Sequence, residues 1–293
     1  MRHGDLLRQL RISRGLTQSQ LAAGITHRTT LASFELQGTK IDFETMQKYL
    51  DRLNVSIEEY EYMYNKHAAE DKEKRRREFN KLLAKKGLTL NSPEILTFSE
   101  EMLANYQVTN DWFYYCMYAQ INLIIAFKKG LDIDGTPKLA TMKKRLCDYL
   151  QGVNSWTHFE FTLFINCLFT FEDEFIEAFL VTSLRAAHLY ANNRYFEGDI
   201  DILLRNLLYL ATTRHNKQIF DFAYAELTHV AAKSRLWDIR ICKHVYDYVK
   251  SKQLGQATDT DLGDLCAKLE WLGNIGLVNL LKNLGDDGWL RSN

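Results

Sequence analysis

Small polar and basic side chains are concentrated in the first 41 residues, in types and at spacings that suit hydrogen bonding to phosphate groups and base edges. Six Lys or Arg residues lie there against two acidic residues, a local charge of +4. Thr17 and Gln18 stand at the start of a predicted helix, where side chains and free backbone N–H groups can donate to a phosphate. Arg28 carries the planar guanidinium that pairs with guanine. The segment is therefore predicted to bind double-stranded DNA.

Two sets of residues are expected at that DNA surface. One set lies along the exposed face of the helix that would enter the major groove, and its members are His27, Arg28, Thr29 and Ser33. The other set supplies further contacts, and its members are Arg8, Arg11, Arg14, Thr17, Gln18 and Lys40. The acidic residues that balance this charge come later, from Asp42 to Glu61. A basic face opposite an acidic face is therefore predicted.

Short helices must position these side chains, because helix stop and start signals recur at close intervals. Gly15 ends the first helix, and the capping box Thr17-Gln18-Ser19-Gln20 begins the second. Asp42 caps the fourth helix, and a second capping box, Ser56-Ile57-Glu58-Glu59, follows it. Residues 1–65 are therefore predicted to form a helix-turn-helix bundle whose third helix enters the major groove.

Residues 66–86 form a charged run without glycine or proline before Gly87, which predicts a connecting helix. The run has nine Lys or Arg and four Asp or Glu residues, a local charge of +5. The simplest interpretation is a solvated helix whose charges pair at i,i+4. Outside residues 1–41 and this run the chain carries 22 basic and 31 acidic residues, although its total net charge is zero.

The remainder of the chain, residues 87–293, is predicted to be a large helical domain. The 293 residues are 46 % apolar and include two prolines, Pro93 and Pro137, too few for the turns and edges of a sandwich or barrel. Roughly nine helices of about 15 to 20 residues are expected, joined by short turns. That layout predicts an all-α protein in which stacked helical hairpins leave a concave surface.

The sequence lacks the patterns that several classes of protein and site require. Trp112 to Phe127 is apolar but too short and too polar for a membrane span, so a buried helix is expected. The N-terminus has no apolar stretch before a cleavage site, so the protein is expected in the cytoplasm. The five cysteines are scattered and are expected to be reduced core residues. Metal-ligand spacings and nucleotide-binding or hydrolase motifs do not occur, so we expect no enzymatic activity, metal or cofactor.

Residues 4–60 resemble the Xre-type helix-turn-helix, through the core Leu16-Thr17-Gln18-Ser19-Gln20-Leu21-Ala22 and the Phe34-Glu35 pair that closes the third helix. The segments 34–38 and 53–60 are similar to those of the Rgg/MutR regulators of low-GC Gram-positive bacteria. Residues 156–160 and 163–166 resemble a stretch of that family's helical domain. Leu36-Gln37-Gly38 departs from the commoner form, which has one basic residue before the glycine.

This resemblance implies a homodimeric transcription regulator. Its C-terminal part would be a right-handed superhelical array of helical hairpins related to tetratricopeptide repeats. The array would bind a short hydrophobic peptide, a secreted pheromone that re-enters the cell in quorum sensing. RNA polymerase is a further partner that the resemblance implies.

Polar residues inside apolar runs are the candidates for holding such a peptide, which needs an apolar groove, amides for its backbone and a cation for its carboxylate. Asn166, Arg185 and Asn206 each interrupt an apolar run and would be costly to bury without a partner. The other candidates are Trp156 and Glu160, which share one helix face, and the amphipathic Tyr190, Tyr209 and Tyr224.

Each of these residues also has a purely structural interpretation. The amides can bond to a neighbouring helix, Arg185 can pair with Glu160 or Glu177, and tyrosines can pack with the hydroxyl at the surface. Trp156 can equally brace the fold. The domain as a whole can be a dimerisation or protein-interaction scaffold without a peptide ligand. It can also sequester another protein, although the DNA-binding segment argues against that role.

Overall fold

Helices account for the regular structure throughout the described chain. The computed structural model describes residues 1–68, 71–84, 92–190, 198–234 and 236–291, with the backbone alone at 66–68, 71, 84 and 190. In these residues the only β-structure is one antiparallel bridge between Leu284 and Leu290. The prediction of an all-α protein is confirmed. The chain divides into an N-terminal unit, Met1–Leu88, and a C-terminal unit, Thr89–Asn293.

The N-terminal unit begins with the predicted series of short helices. They are α1 (His3–Ser13), α2 (Gln18–Ala22), α3 (Arg28–Gln37), α4 (Phe43–Arg52), α5 (Ile57–Ala68) and α6 (Asp71–Ala84). Both predicted capping boxes form, at the start of α2 and at the start of α5. Asp42 caps α4, since its Oδ1 accepts the Thr45 backbone N–H at 2.6 Å.

One apolar cluster joins the first five helices. Its fully buried members include Leu7, Leu21, Leu31 and Tyr49, one from each of the first four helices. Gly4 lets α1 approach α3 closely, because a Cβ atom there would lie 2.2 Å from the Phe34 carbonyl oxygen. The position of α3 is therefore determined by the packing of its buried side against α1.

The charged run 66–86 coincides mainly with α6. Its described side chains pair along the helix, Arg77 with Glu73 at 3.0 Å and Arg75 with Glu78 at 3.0 Å. Residues 69–70 and 85–86, which the predicted connecting helix includes, lie outside the described residues.

The C-terminal unit is built of longer helices. They are α7 (Pro93–Thr109), α8 (Trp112–Lys128), α9 (Pro137–Gly152), α10 (His158–Cys167), α11 (Asp173–Tyr190), α12 (Asp199–Arg214), α13 (Lys217–Lys233), α14 (Trp237–Gln253), α15 (Asp259–Trp271) and α16 (Ile275–Lys282). Ten α-helices are thus described where roughly nine were expected, and three of them, α10, α15 and α16, are shorter than predicted. Most of α8 is buried, as predicted. Among the described helices none is sufficiently long and apolar to cross a membrane.

These helices pack in two rows. Helices α8, α10, α12 and α14 contact one another in that order, and we name these four helices the α12 row. Helix α11 packs on α13, and we name these two helices the α11 row. Helices of one row also contact helices of the other, as α12 does with α11 and α13. Where helices of the two rows contact, each buries the side that faces the other row, and we call its exposed remaining side its outward side.

Phe164 tests how strongly the packing of this unit depends on its aromatic residues. It is fully buried, with ring centroids 5.2 Å from Trp156 and 5.9 Å from Phe171. Phe164→Ala should lower the free energy of unfolding of the C-terminal unit by about 3–5 kcal/mol, measured by urea unfolding. The control Val181→Ala removes an exposed side chain and should change it by less than about 0.5 kcal/mol. Equal effects of the two variants would contradict this packing.

Candidate functional site

The outward face of α3 presents most of the predicted base-contact residues. His27 precedes the helix as its N-cap, Arg28 and Thr29 are exposed in the first turn, and Ser33 is half-buried one turn later. Thr30 is exposed beside them and is not among the predicted base-contact residues, although the same periodicity includes it. The face can therefore offer a guanidinium and several hydroxyl groups to the edges of base pairs.

Arg11 is held inside the N-terminal unit. Its Nε and Nη2 atoms donate to the two carboxylate oxygens of Glu35 at 2.7 and 2.8 Å, and its Nη1 donates to the Leu16 carbonyl oxygen at 2.7 Å. Arg11 is 8 % exposed and Glu35 is 1 % exposed. The hydrogen bond to Glu35 raises the pKa of Arg11 above its ordinary value. Arg11, which the sequence predicts at the DNA surface, is therefore buried, and its guanidinium donates through three nitrogens to groups of its own unit.

The +4 charge of residues 1–41 lies on four exposed cations. The two acidic residues of this segment are both paired, Asp5 with Arg2 at 2.8 Å and Glu35 with Arg11. The hydrogen bond from Arg2 lowers the pKa of the Asp5 carboxyl to about 2. The cations that remain are Arg8, Arg14, Arg28 and Lys40, all exposed and none in an ion pair with a described residue.

The side chains of Thr17 and Gln18 bond within the unit. The Thr17 hydroxyl and backbone N–H both donate to Gln20 Oε1, at 2.9 and 2.8 Å. The Gln18 amide donates to Glu35 Oε2 at 2.9 Å and so joins the Arg11 ion pair. At these two residues, the groups that can donate to a phosphate are therefore mainly the first backbone N–H groups of α2.

In the C-terminal unit, Trp156 and Glu160 are buried and bonded to their own surroundings. Trp156 Nε1 donates to the Leu150 carbonyl oxygen at 3.3 Å. Glu160 accepts from the Tyr149 hydroxyl at 2.6 Å and from Thr157 in a capping box that begins α10. Burial raises the pKa of Glu160, but these hydrogen bonds outweigh it and hold the pKa below its ordinary value. Both residues, predicted as peptide contacts, are therefore bonded at the entry to α10.

Two further candidates take part in contacts between helices. Asn166 is half-buried, and its amide donates to Gln120 Oε1 of α8 at 3.1 Å. The Tyr224 hydroxyl donates to Asp247 Oδ1 of α14 at 2.6 Å. Asn166 thus makes the bond between helices that its structural interpretation describes, and it keeps part of its surface exposed. Tyr224 differs from its structural interpretation, because its hydroxyl bonds to a neighbouring helix.

The remaining candidates are divided between the two outward sides of the unit. Asn206 and Tyr209 are exposed on α12, with Ile202 completing an i, i+4, i+7 series that we name the α12 face. Arg185 is exposed on α11 between Val181 and Leu189, which form the α11 face with it. These residues lie on helices of different rows, so we treat the α12 face and the α11 face as separate surfaces.

The predicted ion pairs of Arg185 do not form among the described residues. Glu160 is bonded as above, and Glu177 accepts from Asn216 at 3.0 Å. Tyr190 ends α11, and its side chain lies outside the described residues.

Sequence reasoning missed a cleft of about 590 Å³ between α14 and α15. Apolar residues such as Tyr248 and Leu265 line it together with Asp261 and Asp264. Its walls come from two helices, so no pattern within either helix could have indicated it.

Comparisons with known proteins agree with the division of the chain into two units. Residues 7–60 match the helix-turn-helix family, and residues 101–251 match the family described as the C-terminal domain of the HTH-type transcriptional regulator Rgg. A comparison with curated protein sequences gives no match.

Solved structures share the fold over almost the whole chain. A Listeria monocytogenes EGD-e protein described as a transcriptional regulator is 19 % identical, with a TM-score of 0.76 over 96 % of this chain and 94 % of the other. A single-residue variant of the SHP pheromone receptor Rgg2 of Streptococcus dysgalactiae is 17 % identical, with a TM-score of 0.73 over 96 % and 97 %. PrgX in complex with cCF10 is 15 % identical, with a TM-score of 0.66 over 96 % and 98 %. At these identities the likeness establishes the fold.

The buried ion pair predicts a large effect of a small change. Glu35→Gln leaves the Arg11 guanidinium buried beside a neutral group, so the N-terminal unit should lose about 3–5 kcal/mol of stability, measured by thermal or urea unfolding. The matched control is Glu44→Gln, which breaks the exposed pair with Lys48 at 2.6 Å and should cost less than about 1 kcal/mol. A Glu35→Gln variant as stable as the control would show that the pair does not hold α1 and α3.

Proposed function

Because the chain belongs to the family of HTH-type transcriptional regulators with an Rgg C-terminal domain, we propose that it binds an operator through α3 and responds to a short hydrophobic peptide held by its C-terminal unit. The observation that carries the DNA part is that α3 has an exposed polar face and that its unit carries four exposed cations that pair with no described carboxylate. The peptide part is supported by the matched C-terminal domain and by a fold shared with a pheromone receptor and with PrgX bound to cCF10.

At the operator, Arg28 would read a guanine and the other cations would contact phosphates. Arg28 is exposed at the first position of α3, where a guanidinium can reach the O6 and N7 atoms of guanine together. Thr29 and Ser33 would make shorter contacts with neighbouring bases. Arg8, Arg14 and Lys40 would neutralise phosphates, which positions α3 without selecting a sequence.

We further infer that two copies bind together in the cytoplasm. A single helix-turn-helix unit makes a small interface with DNA, and paired units reach half-sites about 34 Å apart. A peptide can control such a dimer only if it binds one arrangement of the two copies more tightly than another. RNA polymerase is the further partner through which a bound regulator would act on transcription.

The α12 face is the surface that we assign to the peptide. Ile202 and the 53 % exposed Tyr209 supply apolar area, and the exposed Asn206 amide can both donate to and accept from a peptide backbone. Asn166 lies on the neighbouring α10, which packs beside α12 in the same row. The α11 face offers Arg185 for a terminal carboxylate but has no amide among its three residues.

Replacing two arginines tests the assignment on DNA. With an operator selected from random duplexes, Arg28→Ala should reduce discrimination at one base pair by about 1–3 kcal/mol. Arg14→Ala should weaken binding to operator and random DNA alike and reduce the slope of log K against log salt by about 1. Lys144→Ala, which changes an exposed cation of the C-terminal unit, serves as the control. If both arginine variants bind both DNAs as the unmodified protein does, the assigned surface is wrong.

Peptide binding is tested by calorimetry with synthetic peptides encoded in short reading frames beside the gene. Asn206→Ala and Tyr209→Ala should each weaken binding by about tenfold, since a hydrogen bond or an apolar contact to the peptide is lost. The control is Arg185→Ala on the α11 face, which should bind as the unmodified protein does. The reverse pattern would move the site to the α11 face. If no such peptide binds, the scaffold interpretation of the C-terminal unit is favoured.

A further inference from the structure

Leu36 is the only large apolar side chain of α3 that is exposed to water. It is 57 % exposed, whereas Leu31 and Phe34 of the same helix are buried in the core cluster. Its backbone carbonyl oxygen accepts from the Arg2 guanidinium at 3.5 Å, which connects the last turn of α3 to Arg2, the residue before α1. A single exposed leucine is ordinary on a protein surface. Its position on the helix is the informative feature.

Leu36 continues the stripe that is assigned to base contacts. Thr29, Ser33 and Leu36 follow one another at i, i+4 and i+7, so they lie on one face of α3. Ala32, half-buried, lies next to this stripe and also presents a methyl group. From Thr29 to Leu36 the helix rises by about 10.5 Å, which compares with a major groove about 12 Å wide. The stripe is therefore short enough to lie within the groove over its whole length.

The chemistry of DNA restricts what an apolar side chain can contact in that groove. Phosphates are charged, and the base edges offer hydrogen-bond donors and acceptors, with one exception, which is the C5 methyl group of thymine. Resting on the proposed DNA-binding function, we infer that Leu36 packs against the C5 methyl group of an operator thymine and selects thymine at that position. Leu36 thus recognises thymine by apolar contact, whereas Arg28 recognises guanine by hydrogen bonds.

Deoxyuridine substitution tests this contact, because uracil lacks only the methyl group of thymine. An operator is selected from random duplexes with the full chain, and each of its thymines is replaced by deoxyuridine in turn. Binding is measured by fluorescence anisotropy for the unmodified protein and for Leu36→Ala. At one thymine the substitution should weaken binding of the unmodified protein by about fourfold, the factor expected for one buried methyl group. For Leu36→Ala, thymine and deoxyuridine at that position should bind equally well.

The control variant is Phe43→Ala, which removes another large exposed side chain, 64 % exposed, from the start of α4. It should keep the deoxyuridine profile of the unmodified protein. Unfolding midpoints of both variants should match that of the unmodified protein, because both side chains are exposed. This comparison separates loss of one contact from general damage to the unit.

Three results would overturn the inference. The first is that the unmodified protein is insensitive to deoxyuridine at every thymine, and the second is that Leu36→Ala keeps the unmodified profile. The third is that Leu36→Ala changes the oligomeric state in sedimentation, which would assign the residue to a contact with a second copy. In each case sequence-specific binding survives, so the proposed function stands. If selection yields no preferred sequence at all, the proposed function fails together with the inference.

Discussion

An ion pair with almost no access to water joins Arg11 of α1 to Glu35 of α3, and the geometry of the DNA surface depends on it. Two charges are removed from water together, which is favourable only when they meet closely and their other polar atoms find partners. Leu16 supplies a carbonyl oxygen to the guanidinium, and Gln18 supplies an amide to the carboxylate. Three helices are thereby fixed through the buried side of α3, so its outward face remains available for contacts with bases.

Ion pairing also determines which charges of the N-terminal unit are left without a partner among the described residues. Both acidic residues of the first 41 residues are bonded to arginines, so the excess charge is carried by cations that have no described carboxylate beside them. Release of counterions from DNA depends on such cations. The C-terminal unit treats its polar residues similarly, since Glu160 and Gln120 are buried but bonded. The polar residues that a ligand can contact in either unit are therefore the exposed ones, which are fewer than the polar residues in the sequence.

Local signals allowed most of the fold to be predicted from the sequence, because caps such as Asp42 act over three residues. The functional sites were harder to predict, because a count of charges treats every arginine as exposed. Arg11 follows Leu7 by four residues and so shares its buried stripe, but its carboxylate partner lies 24 residues away. The peptide surface could not be predicted from the sequence for another reason. Exposed apolar residues flank both Arg185 on α11 and Asn206 on α12, and which outward side is concave is a property of the stacking that no single helix encodes.

Stacking also explains how a peptide on the α12 face could act at a distance. A ligand lying across α10 and α12 would touch two successive members of one row, and the rest of the row continues from them through α14. In stacked helical arrays each element contacts mainly its neighbours, and small rotations between neighbours add along the array. A peptide that favours one angle between α10 and α12 therefore changes the shape of the whole row. Its effect is limited by the difference in its affinity for the two shapes, so tight binding alone gives no control.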